Sequence, residues 1–230
     1  MPQDYMFDVP AIPALRIEGQ DTLFAVRRIF CVGRNYAAHA LEMGNEVDRE
    51  APFYFNKSAH CLCHSGSQIT FPTQTKDCHY EMEFVVALGH EAKNVDVSDA
   101  MKAVFGYGCG IDLTRRDLQA QAKEKRRPWD IGKDFENAAI LGPLVRGDAF
   151  GEVANQQIWL DHNGARVQQA PLSDMIWSVS EIIADLSRYY HLMPGDLIMT
   201  GTPAGVGPVQ PGSRLEGHVD GCVPVSVAFL

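Results

Sequence analysis

Glu81 and Glu83, in the segment HYEMEFVVALG (79–89), stand one residue apart directly before the apolar run Phe84–Leu88. In a strand, side chains at i and i+2 share a face. Two carboxylates would therefore crowd together at the edge of a core, and a shared cation would relieve the repulsion. A third carboxylate, Asp112, follows GYGCGI where a strand reads as ending before a helix. Two glutamates and an aspartate make an all-oxygen ligand set, which suits Mg²⁺, with Mn²⁺ as a substitute. The alternative is that both glutamates face solvent and Asp112 merely precedes a helix.

His39 and Glu42 lie three apart in NYAAHALEMG, so on a helix they share a face. Such a pair is either an acid–base dyad, with the glutamate orienting an imidazole that activates water, or an exposed ion pair. Lys133, in PWDIGKDF, is either a surface lysine or a buried cation facing an anionic intermediate. Thr202 and the backbone N–H groups of GTPAGVG could hold a small carboxylate. That stretch lacks the Gly-Lys-Ser/Thr ending of a phosphate loop, and GYGCG lacks the full dinucleotide pattern. HCLCH (60–64) contains zinc-ligand residue types, but an extended chain would send Cys61 and Cys63 one way and His60 and His64 the other, so it reads as a loop. No G-x-S-x-G elbow of a serine hydrolase is present.

These residues need elements to hold them. RRIFCVG reads as a strand ending at Gly33, followed by a short helix with Asn35 as cap and Gly44 just past its end. Short strands are expected around PFYFNK and SQITFP, a helix over VSDAMKAVFGYG, and a helix over TRRDLQAQAKEKRR with Thr114 and Asp117 in capping-box-like spacing. NQQIWLDHNGARVQQA signals a hairpin, and MIWSVSEIIADLSRYYHL an amphipathic helix. PGDLIMTGTPAGVG reads as turn, strand and glycine-rich loop, and short strands close the chain. Many short strands, few helices and no βα alternation predict a β-rich α+β fold. Residues 1–24, punctuated by proline, read as an arm or edge strand, and 25–230 as one catalytic domain.

The 230 residues suffice for a sizeable core without staples. A formal net charge of −9 argues against nucleic acid or an anionic membrane as partner, but a local basic pocket can still bind a small anion. The start lacks a basic, apolar leader, no run is long enough for a membrane helix, and six scattered cysteines do not form a disulfide framework. The expectation is a cytoplasmic protein with reduced thiols.

Taken in order, CVGRNYAAHALEMG, HYEMEFVVALG, GYGCGIDLTRRDLQ, PWDIGKDF and GDLIMTGTPAGVG resemble the fumarylacetoacetate hydrolase family, most closely its short acylpyruvate hydrolase members. The resemblance runs from about residue 27 to the C-terminus. It implies a mixed β-sandwich or roll, usually a homodimer. It further implies metal ligation by Glu81, Glu83 and Asp112, and a lid-helix dyad of His39 and Glu42. By the same resemblance Gln119 positions water or substrate, Lys133 stabilises an enolate, and Thr202 contacts the substrate carboxylate. Arg34 and Arg116 fall in family motifs as substrate-binding positions. The implied substrate is a small anionic 2,4-dioxo acid, with fumarylpyruvate favoured by the look of RRPWDIGKDFENAAILGP. Oxaloacetate decarboxylation, isomerisation of an unsaturated 2-hydroxy or 2-oxo acid, and an inactive metal- or ligand-binding relative are the alternatives. FNKSAHCLCH departs from the Pro/Ser-rich loop of many relatives, which leaves the pocket wall near residues 56–64 open.

Overall fold

The computed structural model describes residues 5–44, 46–47 and 49–230. The chain begins with an antiparallel hairpin of β1 (Ala14–Arg16) and β2 (Leu23–Ala25), pinned to the body where Glu18 N donates to Leu144 O at 2.8 Å and Leu144 N to Arg16 O at 2.9 Å. Of the proline-punctuated N-terminal segment, residues 1–4 lie outside the described residues, and 5–12 are exposed. Next come β3 (Arg28–Gly33), α1 (Ala37–Glu42) and β4 (Phe53–Lys57). A single 3₁₀ turn leads into β5 (Leu62–His64), then β6 (Ser67–Ile69), β7 (Cys78–Tyr80) and β8 (Met82–Leu88). The middle of the chain holds α2 (Val97–Ala100), β9 (Val104–Asp112), β10 (Thr114–Arg115), α3 (Arg116–Glu124) and α4 (Asp130–Lys133). After β11 (Ala139–Leu141), β12 (Val145–Arg146) and α5 (Gly147–Phe150) comes the hairpin of β13 (Gln157–His162) and β14 (Ala165–Pro171). The chain ends through α6 (Val179–Tyr189), β15 (Asp196–Met199), β16 (Gly207–Pro208), β17 (Arg214–Val219) and β18 (Val225–Phe229).

The strands build a mixed, β-rich fold of two main sheets. The larger runs β4-β3-β15-β8-β9-β11-β5, with β12 also on β9; the smaller runs β14-β13-β17-β18-β6. β8 is buried on both faces, as its apolar run Phe84–Leu88 requires. One face meets the second sheet, where β17 places Gly217 against Met82; a Cβ there would collide with the methionine sulfur. On the other side of the large sheet, α6 buries Ile182, Ile183 and Leu186. Tyr190, at its end, packs against Phe30 of β3 in a tilted arrangement with ring centroids 4.9 Å apart, and Tyr54 of β4 donates to Asp185 at 3.0 Å. Ser178 and Glu181 form a reciprocal capping box at the start of α6, a feature that contributes about 1 kcal/mol. A third, small sheet β10-β7-β16 closes the corner where the chain passes from β7 to β8. Among the described residues no helix is long and apolar enough to cross a membrane, and all six cysteines are buried and unpaired.

The β13–β14 hairpin turns through Asn163 (φ 52°) and Gly164 (φ 82°), as the DHNG signal predicts. Three local expectations are corrected. VSDAMKAVFGYG is not one helix: four residues are α-helical, one 3₁₀ turn follows, and Val104 already begins β9. Gly106, Gly108 and Gly110 recur every second residue, a strand period, and Cβ atoms at Gly106 and Gly110 would strike Val145 O and Val85. Thr114 and Asp117 form no capping box. Thr114 belongs to β10 and donates to Glu81, while Asp117 accepts from Thr75 and from Lys76 N. Asn35 does not cap α1 either, because Tyr36 holds the cap position. The Asn35 amide instead donates to Trp177 O and Thr200 O and accepts from Trp177 N, tying three segments together. Gly44 does follow the helix in the left-handed region, at φ 71°.

Candidate active site

The register of β8 against β9 assembles the carboxylates. Met82 pairs with Ile111 and Glu83 with Gly110, and one step further Asp112 N donates to Glu81 O at 2.8 Å. Glu81 and Asp112 are thus cross-strand neighbours, close enough for their side chains to meet. Glu83 lies two residues along from Glu81. One ligand oxygen from each of the three lies within 4.8 Å of the others, and all three residues are buried. Among the described residues this is the only such cluster of three potential metal ligands. In HCLCH the two cysteines point inward and the two histidines outward, so no ligand set forms there.

Buried cations compensate the carboxylates. Lys133 Nζ donates to Glu81 Oε2 and to Asp112 Oδ2, each at 2.8 Å. Arg116 Nη2 donates to Glu81 Oε1 at 2.5 Å, and Nη1 to Gln119 Oε1 at 2.8 Å. Lys57 Nζ stands 2.7 Å from Asp112 Oδ1 as an ion pair outside hydrogen-bond angles, while it donates to Leu113 O and Lys133 O. Burial alone would push the Glu81 carboxyl up, but Lys133 and Arg116 outweigh it and hold the group well below the usual range. Burial also lowers the Lys133 ammonium's pKa; Asp112 and Glu81 overturn this and keep it charged. Glu83 is different. Burial, then Asp112 and Glu81, drive its carboxyl well above the usual range, and one backbone donor, Gly201 N at 2.7 Å, does not offset them.

That imbalance is what a divalent cation would relieve. Three buried carboxylates on adjoining strands offer hard oxygen donors and no sulfur or imidazole, so the residues fit Mg²⁺ or Mn²⁺.

α1 carries His39 to this place. His39 Nδ1 and Glu42 Oε2 are 3.3 Å apart, and Gly205 N anchors both Glu42 oxygens at 3.1 Å. An ionised carboxylate only accepts, so Nδ1 bears the proton and Nε2 keeps its lone pair. Burial lowers the His39 pKa, and the pull of Glu81 and Glu42 does not fully restore it, so the ring is neutral at physiological pH.

Thr202 accepts from Gln168 Nε2 at 2.9 Å, which leaves its own hydroxyl proton to donate. Gln168 also donates to Pro203 O and accepts from Met82 N, so it locks the glycine-rich loop onto β8. That loop turns at Gly201, whose φ of 100° and whose contact with Asn35 exclude a side chain. Gln119 offers its amide N–H₂, since its oxygen is taken by Arg116.

A cleft joins these groups: Arg34, His39, Glu81, Glu83, Arg116, Gln119, Lys133 and Thr202 all line it. Asp112 sits beneath it, and Glu42 reaches it through His39. Its free volume is about 30 Å³, whereas a groove beside the N-terminal hairpin offers about 790 Å³ but no carboxylate. Room alone therefore does not mark the chemistry. Three participants escape sequence reading. Lys57 and Gln168 are named above, and His79 receives Arg116 Nε at 3.4 Å while contacting Asp77 at 2.8 Å. Nothing local singles out any of the three: strict alternation would put Gln168 on the face of exposed Arg166, and the register shift between β13 and β14 beside Val167 turns it inward.

Residues 28–228 match the family model described as the fumarylacetoacetate (FAA) hydrolase C-terminal domain. A fumarylpyruvate hydrolase of a Ralstonia species is 46% identical over 188 residues, 80% of this chain and 97% of that one. An oxaloacetate tautomerase of Escherichia coli is 36% identical over 199 residues, covering 86% and 90%. Among solved structures, the fumarylpyruvate hydrolase of Pseudomonas aeruginosa in complex with Mn²⁺ and pyruvate has a TM-score of 0.96 at 42% identity, covering 99% of both chains.

Proposed function

The chain belongs to the fumarylacetoacetate hydrolase family, and on that premise we infer that it is a metal-dependent hydrolase cleaving the carbon–carbon bond of a 2,4-dioxo acid, fumarylpyruvate foremost. The observation that carries this reading is the meeting of three carboxylates, the Lys133 cation and a neutral, carboxylate-anchored His39 at one cleft. Glu81, Glu83 and Asp112 would hold Mg²⁺ or Mn²⁺, which when bound supplies Lewis-acid polarisation of the 2-oxo acid.

Thr202 and nearby backbone N–H groups bind the substrate carboxylate. Gln119 orients a water with its free amide donors. His39 takes a proton from that water at Nε2, and Glu42 stabilises the imidazolium that results. Hydroxide adds at C4, and the tetrahedral intermediate collapses with rupture of the C3–C4 bond. The electron pair enters a pyruvate enolate, towards which Lys133 presents its third N–H donor, and the imidazolium returns its proton to C3. A fixed cation facing developing negative charge is often the largest catalytic term.

Oxaloacetate tautomerisation or decarboxylation is the second reading, favoured by the similarity to the tautomerase. It uses the same cationic floor without an attacking water. On either reading residues 25–230 act as the catalytic domain and 1–24 as an N-terminal arm or edge strand, in a cytoplasmic homodimer. The apolar groove beside the N-terminal hairpin supports the dimer as a surface a second copy could cover. Incubating the purified protein and Mg²⁺ with fumarylpyruvate, acetylpyruvate and oxaloacetate tests the reading. Stoichiometric fumarate and pyruvate from fumarylpyruvate are expected; turnover of oxaloacetate alone would favour the second reading.

A further inference from the structure

We propose that Lys123 and Arg34 form a second anion-binding point at the cleft mouth, which selects acylpyruvates bearing a distal carboxylate over those without one. The proposal rests on the hydrolase reading and names the substrate class of that same site. Both side chains line the cleft whose floor is Glu81, Glu83 and Lys133. The floor's cations are already paired with carboxylates, Lys133 with Glu81 and Asp112 and Arg116 with Glu81. Those at the mouth are not. Among the described residues no carboxylate lies within ion-pair distance of Lys123 or Arg34. Each instead lies over an aromatic face, Lys123 Nζ 4.9 Å from the Trp129 centroid and Arg34 Cζ 5.8 Å from that of Phe53.

Half-burial, then the proximity of Arg116 and Arg34, brings the Lys123 ammonium down to about 8. Cations crowd here, and a bound anion would relieve them. Arg34 also holds a left-handed backbone, φ 59°, unusual for a residue with a side chain and typical of strain kept at functional sites. On a chain of net charge −9, this local positive mouth is also what a dianion needs in order to approach. Trp129 and Phe55, with ring centroids 5.9 Å apart, also line the cleft and offer flat apolar surface to a planar conjugated chain.

The experiment measures kcat/KM with Mg²⁺ for fumarylpyruvate, a dianion, and acetylpyruvate, a monoanion, in the wild type and in K123Q, K123R and R34Q, with thermal midpoints alongside. Losing one charge-assisted contact is expected to lower the fumaryl-to-acetyl preference roughly 10- to 100-fold in K123Q, mainly through KM, with R34Q in the same direction and K123R retaining most of it. Equal losses on both substrates in K123Q, or an unchanged preference, would overturn the mouth assignment while leaving the hydrolase reading standing. A wild type that cleaves acetylpyruvate but does not prefer the dianion would do the same. A wild type cleaving neither substrate would overturn both.

Discussion

Lys133 Nζ stands 2.8 Å from Glu81 Oε2 and 2.8 Å from Asp112 Oδ2, bridging the residue just before β8 to the last residue of β9. The lysine comes from α4, a single turn whose position depends on α3 and β4, so the charge balance of the floor is set by segments far apart in sequence. Removing one partner from a buried ion pair leaves uncompensated charge and costs about 3–5 kcal/mol. Lys133→Met should therefore lower the stability of the metal-free protein by about that amount. Added Mg²⁺ should recover part of the loss by supplying positive charge to the same oxygens. Urea melts with and without Mg²⁺ check this; identical losses in both would show that the carboxylates do not share the cation.

The acid limb of the pH–rate profile should report His39. Burial keeps its pKa below the ordinary 6.5, so the neutral base persists at pH 7 and kcat/KM should fall only as pH drops below the ordinary histidine range. Glu42 raises that pKa by hydrogen bond and by charge. Glu42→Gln should consequently move the limb to still lower pH while reducing the plateau rate. A limb moving upward would contradict the dyad.

Gln168 connects β8 to the Thr202 loop through three hydrogen bonds. Gln168→Leu leaves Met82 N buried without an acceptor, a loss of about 1–3 kcal/mol. KM should rise more than kcat falls, since Thr202 is left without the donor that orients its hydroxyl. Steady-state kinetics beside a thermal melt separate the two effects.

The residues that could be read from sequence share a property: their chemistry is encoded at short range. Two glutamates at i and i+2 and a histidine and glutamate at i and i+3 announce shared faces wherever the strand or helix goes. Lys57 carried no such mark. It closes a strand that looks like an edge, and only the pairing of Ile29 with Lys57 and the arrival of α4 bury it beside Asp112. Asn35 illustrates the reverse error, a good local cap diverted to backbone groups at 177 and 200. In GYGCG the glycine period of two was legible, but continuity with the preceding helical residues masked it.

α1 covers a cleft whose free volume, about 30 Å³, is roughly that of one or two waters. A 2,4-dioxo acid needs far more, so α1 should swing between Gly33 and Gly44 to admit it. Hydrogen exchange across residues 36–44 should slow when oxalate and Mg²⁺ bind. Equal protection with and without them would count against a moving cover.

The kinetics of His39→Ala with Mn²⁺ on acetylpyruvate and oxaloacetate probe the proposed activation of water by His39 above the carboxylate floor. Hydrolysis should fall of order 10² to 10⁴-fold, the span of general-base catalysis. Mn²⁺ content should be unchanged, and any oxaloacetate decarboxylation should fall less, because it needs no attacking water. Acetylpyruvate cleavage undiminished in His39→Ala would contradict the account and shift the assignment to decarboxylation or tautomerisation.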